Sequence, residues 1–177
     1  LDYLGYRHVT GIKQWDSLAK ARYLRQLYGK SKAKSAAARC SELARVIASR
    51  PDYVRQLLCA LSIYDNIENA AFFGIAGLNE ETFSFSLLST AISYTNIRKF
   101  LGLTTDSGIE ARGLDRKSLK ELTSLIFEKH GDTSRVPESR DLSELSCVIA
   151  NREALVAFRR GRPLHEAFML SEGATET

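Results

Sequence analysis

The stretch Cys40-Ser-Glu-Leu-Ala-Arg-Val-Ile-Ala-Ser-Arg-Pro-Asp-Tyr-Val-Arg-Gln-Leu-Leu-Cys-Ala-Leu61 decides the fold. Leu43 and Ile47 share one helical face before Ala48-Ser49, and Val54, Leu57 and Leu58 share another after it. Two short helices that cross about a tight turn need a small residue where they touch, and Ala44 stands there. Small residues at the turn, Ala48 and Ser49, let the chain reverse, and Pro51 suits the first turn of the second helix. The pattern predicts a helix-turn-helix. With Val54, Leu57 and Leu58 turned inward, Arg50, Asp52, Tyr53, Arg55 and Gln56 face outward.

Outward from this segment, apolar residues keep recurring at intervals of three and four, with little alternation of period two, so an all-α multi-helix bundle is expected. The spacing predicts helices over 16–28, 35–47, 52–61, 63–73, 80–100, 116–128, 142–150, 153–160 and 164–170. Trp15 is expected to pack at the start of the first, Asn151 to cap a late helix, and Pro163 to open the last. A loop is expected over 104–113, an exposed linker over 131–140 and disorder over 171–177. Two regions follow: a helix-turn-helix domain over 1–103 and a C-terminal helical region over 104–177.

Charge is distributed unevenly. Ten basic and two acidic residues between Lys20 and Arg55 give this block +8, within a chain whose total is +4, so the remainder is at −4. A concentrated basic block is the footprint expected of a protein that meets a phosphate backbone. Lys30, Lys32, Lys34, Arg39 and Arg45 are the candidate phosphate contacts. Ser49, Arg50, Asp52, Tyr53, Arg55 and Gln56 are the candidates at the recognition helix, whose N-terminal residues reach base edges in such motifs. Arginine suits guanine there and glutamine suits adenine.

The segment from Ser41-Glu-Leu-Ala through Val54-Arg-Gln-Leu-Leu resembles the helix-turn-helix of ParB-like partition proteins, which carry an ELA…V…L pattern behind a helix similar to 15–28. The opening Gly5-Tyr-Arg-His-Val-Thr-Gly-Ile-Lys13 is similar to the closing box of that family's nucleotide-binding domain, with His8 in place of its second arginine. The usual turn glycine is Ala48, and the serine that follows it is displaced by Arg50. The resemblance covers 1–61. It implies binding of centromere-like or operator double-stranded DNA, often as a homodimer, in plasmid partition, transcription regulation or mobile-element biology. Nucleotide binding is expected only through the N-terminal domain, nearly all of which the chain lacks. The first residue is Leu1, and the expectation is of a fragment of a longer protein.

Ser143-Glu-Leu-Ser-Cys-Val-Ile-Ala-Asn-Arg152 repeats Ser41 to Arg50 at seven of ten positions. It is either a second helix-turn-helix or a coincidence of amphipathic helices. Arg159 and Arg160 stand where Leu57 and Leu58 stand in the first copy. Arg152, Arg159, Arg160 and Arg162 are further candidates for phosphate.

Three widely separated cysteines, Cys40, Cys59 and Cys147, form neither a disulfide framework nor a CxxC site, and reduced thiols in a cytoplasmic protein are expected. His8, His130 and His165 show no metal-ligand spacing, and neither a phosphate-binding loop nor a dinucleotide fingerprint is present. No apolar run is long enough to span a bilayer. Tyr3, Tyr6, Phe72, Phe73, Phe83, Phe85 and Phe100 are expected in the core. No catalytic residue, metal or cofactor is assigned, and the chain is not expected to be an enzyme by itself. Besides duplex DNA binding, two readings stay open at this point: a helical protein-interaction or oligomerisation module, and an enzyme whose active site lies in a missing N-terminal part.

Overall fold

The computed structural model describes residues 16–172. Nine α-helices run in chain order among them: α1 Ser17–Lys30, α2 Ala36–Val46, α3 Pro51–Asn69, α4 Phe85–Ala91, α5 Thr95–Phe100, α6 Arg116–Phe127, α7 Asp141–Ala150, α8 Arg152–Arg159 and α9 Leu164–Glu172. The fold is all-α, with one two-stranded hairpin, β1 Lys129–His130 against β2 Thr133–Ser134. Trp15 and the 5–13 segment lie outside the described residues, as do residues 173–177.

Side-chain caps set the helix starts. Ser35 accepts from the Ala38 amide at 3.1 Å, Asp115 from the Ser118 amide at 3.0 Å, and Asn151 from the Ala154 amide at 3.0 Å. Pro51 occupies the first turn of α3, where a missing N–H costs nothing.

The buried apolar side chains form one continuous cluster from Leu18 to Ala167, which spans the 103/104 position. α3 lies at its centre, with Val54, Ala60, Leu61, Ile63, Tyr64 and Ile67 all at 0% exposure. α1, α2 and α4 pack around α3, and α5 packs on α7, where Asn96 donates to the Ser146 carbonyl at 3.3 Å. Phe83 and Phe85 are buried, and Phe72, Phe73 and Phe100 pack partly buried against the cluster.

The structure differs from the sequence expectation at several places. The helices expected over 52–61 and 63–73 are the single helix α3, because Ser62 does not break it: its hydroxyl donates to the Ile109 carbonyl at 2.7 Å. α3 then ends at Asn69 and not at Phe73. Ala71, Phe72 and Phe73 adopt left-handed angles, φ 49°, 52° and 55°. Such a conformation costs about 1–2 kcal/mol per non-glycine residue. The turn places Phe72 6.1 Å from both Tyr64 and Phe83, in an aromatic cluster that offsets the cost.

The helix expected over 80–100 is two helices, α4 and α5. Asn79 accepts from the Glu81 and Thr82 amides and holds a turn ahead of Ser84, and Tyr94 is extended at φ −82°, ψ 125°. The expected linker over 131–140 is pinned to the core: Val136 is 0% exposed, and the Arg135 guanidinium is held by α8 and the loop after it. Ser171 and Glu172, expected in a disordered tail, belong to α9. The 104–113 loop is irregular, as expected, with a short 3-10 turn at Thr105–Ser107. Gly102 has φ 78°, and a Cβ there would lie 2.8 Å from the Gly113 carbonyl, so the loop can close only on glycine.

Candidate nucleic-acid interface

Helix α2 ends at Val46, and the chain turns through Ile47, Ala48, Ser49 and Arg50 into α3. Ala48 is left-handed at φ 50°, the conformation a glycine would adopt more readily, and the Ser49 amide donates to the Ala44 carbonyl at 2.8 Å. Ala44 is 2% exposed where α2 packs on α3. Leu43, Ile47, Val54, Leu57 and Leu58 are buried, as the spacing requires. The helix, tight turn and second helix read from the sequence are thus present in the turn and its packing, with the second helix longer than expected.

The outer surface of the motif separates the candidate residues into two groups. Lys30, Lys32, Lys34, Arg45 and Arg50 are exposed, and among the described residues no hydrogen bond or ion pair holds their side chains. Lys30 closes α1, and Lys32 and Lys34 follow in the connection to α2.

The second group is already engaged. Arg39 donates from Nε to the Ala33 carbonyl at 2.9 Å and lies 5.2 Å from the Tyr28 ring centroid, so it braces the α1–α2 connection. Tyr53 is half-buried, with the Lys20 ammonium 4.9 Å from its ring centroid. Asp52 and Arg55 are exposed and form an ion pair with each other. Gln56 is half-buried: its amide donates to the Ser89 carbonyl at 2.7 Å and ties α3 to α4. Ser49 is half-buried within the turn.

The basic block is also smaller on the surface than in the sequence. Arg22 bonds Glu80 at 2.6 Å, with Glu68 at 3.9 Å, and the Glu80 hydrogen bond raises the pKa of its guanidinium. Arg25 pairs with Asp65. These two arginines are neutralised by carboxylates that lie far from them in sequence.

A groove of about 390 Å³ runs beside the outer face of α3, between Arg55 and Gln56 on one side and Ser93 and Arg98 on the other. Arg98 was not singled out by sequence reasoning. Its basic neighbour Lys99 was the available signal, but both fell inside an expected long helix. Cys59 lines the groove and Cys40 lies buried in α2; burial pushes both thiols above the ordinary range, which leaves them protonated and unreactive near neutrality. Among the described residues no group of three or more His, Cys, Asp or Glu could hold a metal ion, and no helix is long and apolar enough to cross a membrane.

The late echo of the motif folds differently. α7 runs through Ala150, the counterpart of Ala48, and a single residue, Asn151, joins it to α8. No left-handed turn forms there, and Arg159 is bound by Glu121 through two bonds of 2.5 and 2.9 Å. Arg152, Arg160 and Arg162 remain exposed.

No protein-family model matches the chain, and no match is found among curated proteins or solved structures. The site's geometry therefore carries the functional argument.

Proposed function

We propose that this protein binds double-stranded DNA in a sequence-dependent manner, with the N-terminal turns of α3 in the major groove. The observation that carries the reading is the α2–α3 unit itself. Its left-handed Ala48 and buried Ala44 leave Arg45, Arg50 and Arg55 exposed around one helix start, with Lys30, Lys32 and Lys34 on the preceding segment. In this reading Arg50 and Arg55 reach base edges, and Arg55 exchanges Asp52 for a guanine edge on binding. Arg45 and the three lysines contact phosphates. The resemblance of 1–61 to ParB-like proteins supports the same assignment, as a dimer in partition or transcription regulation. Gln56 is removed from the reading set because Ser89 occupies its amide.

The test is selection of bound duplexes from a random pool, followed by salt titration of the winner. A consensus should emerge. Four phosphate contacts, from Lys30, Lys32, Lys34 and Arg45, correspond to roughly a hundredfold loss of affinity between about 50 and 200 mM salt. A pool that never enriches, or binding that is flat with salt, overturns the reading.

A further inference from the structure

Helix α8 buries Ala154, Leu155 and Phe158, and its opposite side forms a second surface. Arg152, Val156 and Arg160 follow one another at intervals of four, one helical turn apart, with Ala157 beside them. Together with Arg162 and with Leu170 of α9 they line a groove of about 610 Å³. Its floor is apolar and its rim is arginine, with Glu153 as the acidic residue of the lining. Among the described residues the side chains of Arg152, Arg160 and Arg162 take no hydrogen bond or ion pair, whereas neighbouring Arg159 is bound by Glu121.

We infer that this groove docks an acidic segment of a partner protein carrying a bulky apolar side chain between carboxylates. The inference is independent of the duplex reading. Charge complementarity selects the occupant: three arginines against Glu153 leave the lining at +2, and planar guanidinium groups bind carboxylates in two-point fashion. The apolar floor then favours a peptide over a nucleic acid. A phosphodiester backbone gains nothing from Val156, Ala157 and Leu170, whereas a Leu, Phe or Trp side chain removes that surface from water. An apolar anchor within a charged rim is the usual anatomy of a protein interface.

The experiment is selection of a random peptide library displayed on phage against the full chain, with binding of the synthesised winners then measured by fluorescence anisotropy. Winners should carry one or two large apolar residues flanked by Asp or Glu, and replacing those acids by Lys should abolish binding. Val156→Asp and Arg160→Glu should each weaken the peptide by about tenfold or more. Arg160 is exposed, so its variant keeps the test valid even where Val156→Asp perturbs folding. Winners without acidic residues, or winners indifferent to Arg160→Glu, overturn the inference. So does loss of duplex binding in these variants without any peptide winner, which would make the groove a nucleic-acid surface. Self-association of the chain abolished by Arg160→Glu would make the occupant a second copy and would equally overturn it.

Discussion

The guanidinium of Arg135 lies 3.7 Å from the ring centroid of Phe158, and its Nη2 donates to the Phe158 carbonyl at 2.5 Å and to the Arg162 carbonyl at 2.7 Å. One side chain thus covers a core aromatic ring and closes the C-terminal end of α8, where the helix dipole favours a cation. Desolvation lowers the guanidinium's pKa. The contact turns residues that compose like a linker into a strap across the C-terminal helices.

Arg135→Ala should therefore destabilise the protein by on the order of 2–4 kcal/mol, from two charge-assisted hydrogen bonds and a cation–π contact. Arg135→Lys should recover only part, since an ammonium has no plane to stack on the ring while reaching both carbonyls. Denaturant unfolding of the three proteins gives the answer. An Arg135→Ala protein as stable as the parent would mean that the strap is only a surface decoration.

The turn of the helix-turn-helix makes an opposed pair of predictions. Ala44→Leu forces a branched side chain into the α2–α3 contact and should cost about 1–3 kcal/mol. Ala48→Gly should raise stability by up to about 1 kcal/mol, because glycine takes φ near 50° without the Cβ penalty. Melting temperatures of both variants check the pair. A neutral Ala44→Leu would contradict the close packing, and a destabilised Ala48→Gly would contradict the left-handed turn.

Much of this motif was legible because its determinants are local. Leu43, Ile47, Val54, Leu57 and Leu58 sit at helical spacing, and the structure buries all five. The turn was legible from Ala48-Ser49, since small residues are what a left-handed reversal tolerates. What the sequence hid were contacts between distant residues. Gln56 has an outward spacing on α3, yet Ser89 lies 33 positions away and takes its amide. Arg22 and Arg25 add to the basic block on paper, whereas Glu80 and Asp65 neutralise them in space. The 131–140 stretch has linker composition, and only the fold brings Arg135 to Phe158. Gly131-Asp132, at the tip of the β1–β2 hairpin, is a turn signal within the stretch of linker composition. The left-handed run at Ala71 to Phe73 had no local signal, because three non-glycine residues there are held by the aromatic cluster.

Tyr64 gives a pH-dependent prediction. It is 0% exposed among Phe72, Phe83 and Phe85, and among the described residues its buried hydroxyl has no hydrogen-bond partner. Desolvation first, and then the nearby Glu68 and Glu80 carboxylates, push its pKa from 10.0 to about 12. The folded state therefore holds the proton more tightly than the unfolded chain does. Stability contributed by the neutral phenol is complete below pH 10 and is lost as pH rises from 10 towards 12. Tyr64→Phe keeps the ring and removes an unsatisfied polar group, so it should raise stability near neutrality by about 1 kcal/mol and flatten the alkaline decline. Unfolding at pH 7 and pH 10.5 compares the two proteins. A Tyr64→Phe protein less stable at pH 7 would reveal a hydroxyl partner and refute the assignment.

The last prediction separates reading from holding at the proposed duplex surface. Arg50 and Arg55 are exposed at the start of α3, where base edges would be reached. Replacing both by Ala should reduce the preference for cognate over scrambled duplex, at roughly 1–3 kcal/mol per lost base contact. Lys32 and Lys34 lie on the segment ahead of α2, where a backbone contact is all that geometry invites. Replacing both by Ala should weaken cognate and scrambled duplexes equally and reduce the salt slope by about 2. Gln56→Ala should leave the preference intact while costing about 1 kcal/mol of stability, since its amide holds Ser89. The three variants are measured on both duplexes at one salt concentration. Should the Arg50/Arg55 variant keep its full preference, α3 is not the reader. Should Gln56→Ala lose the preference instead, the glutamine must leave Ser89 on binding, and Arg98 across the groove becomes the next residue to replace.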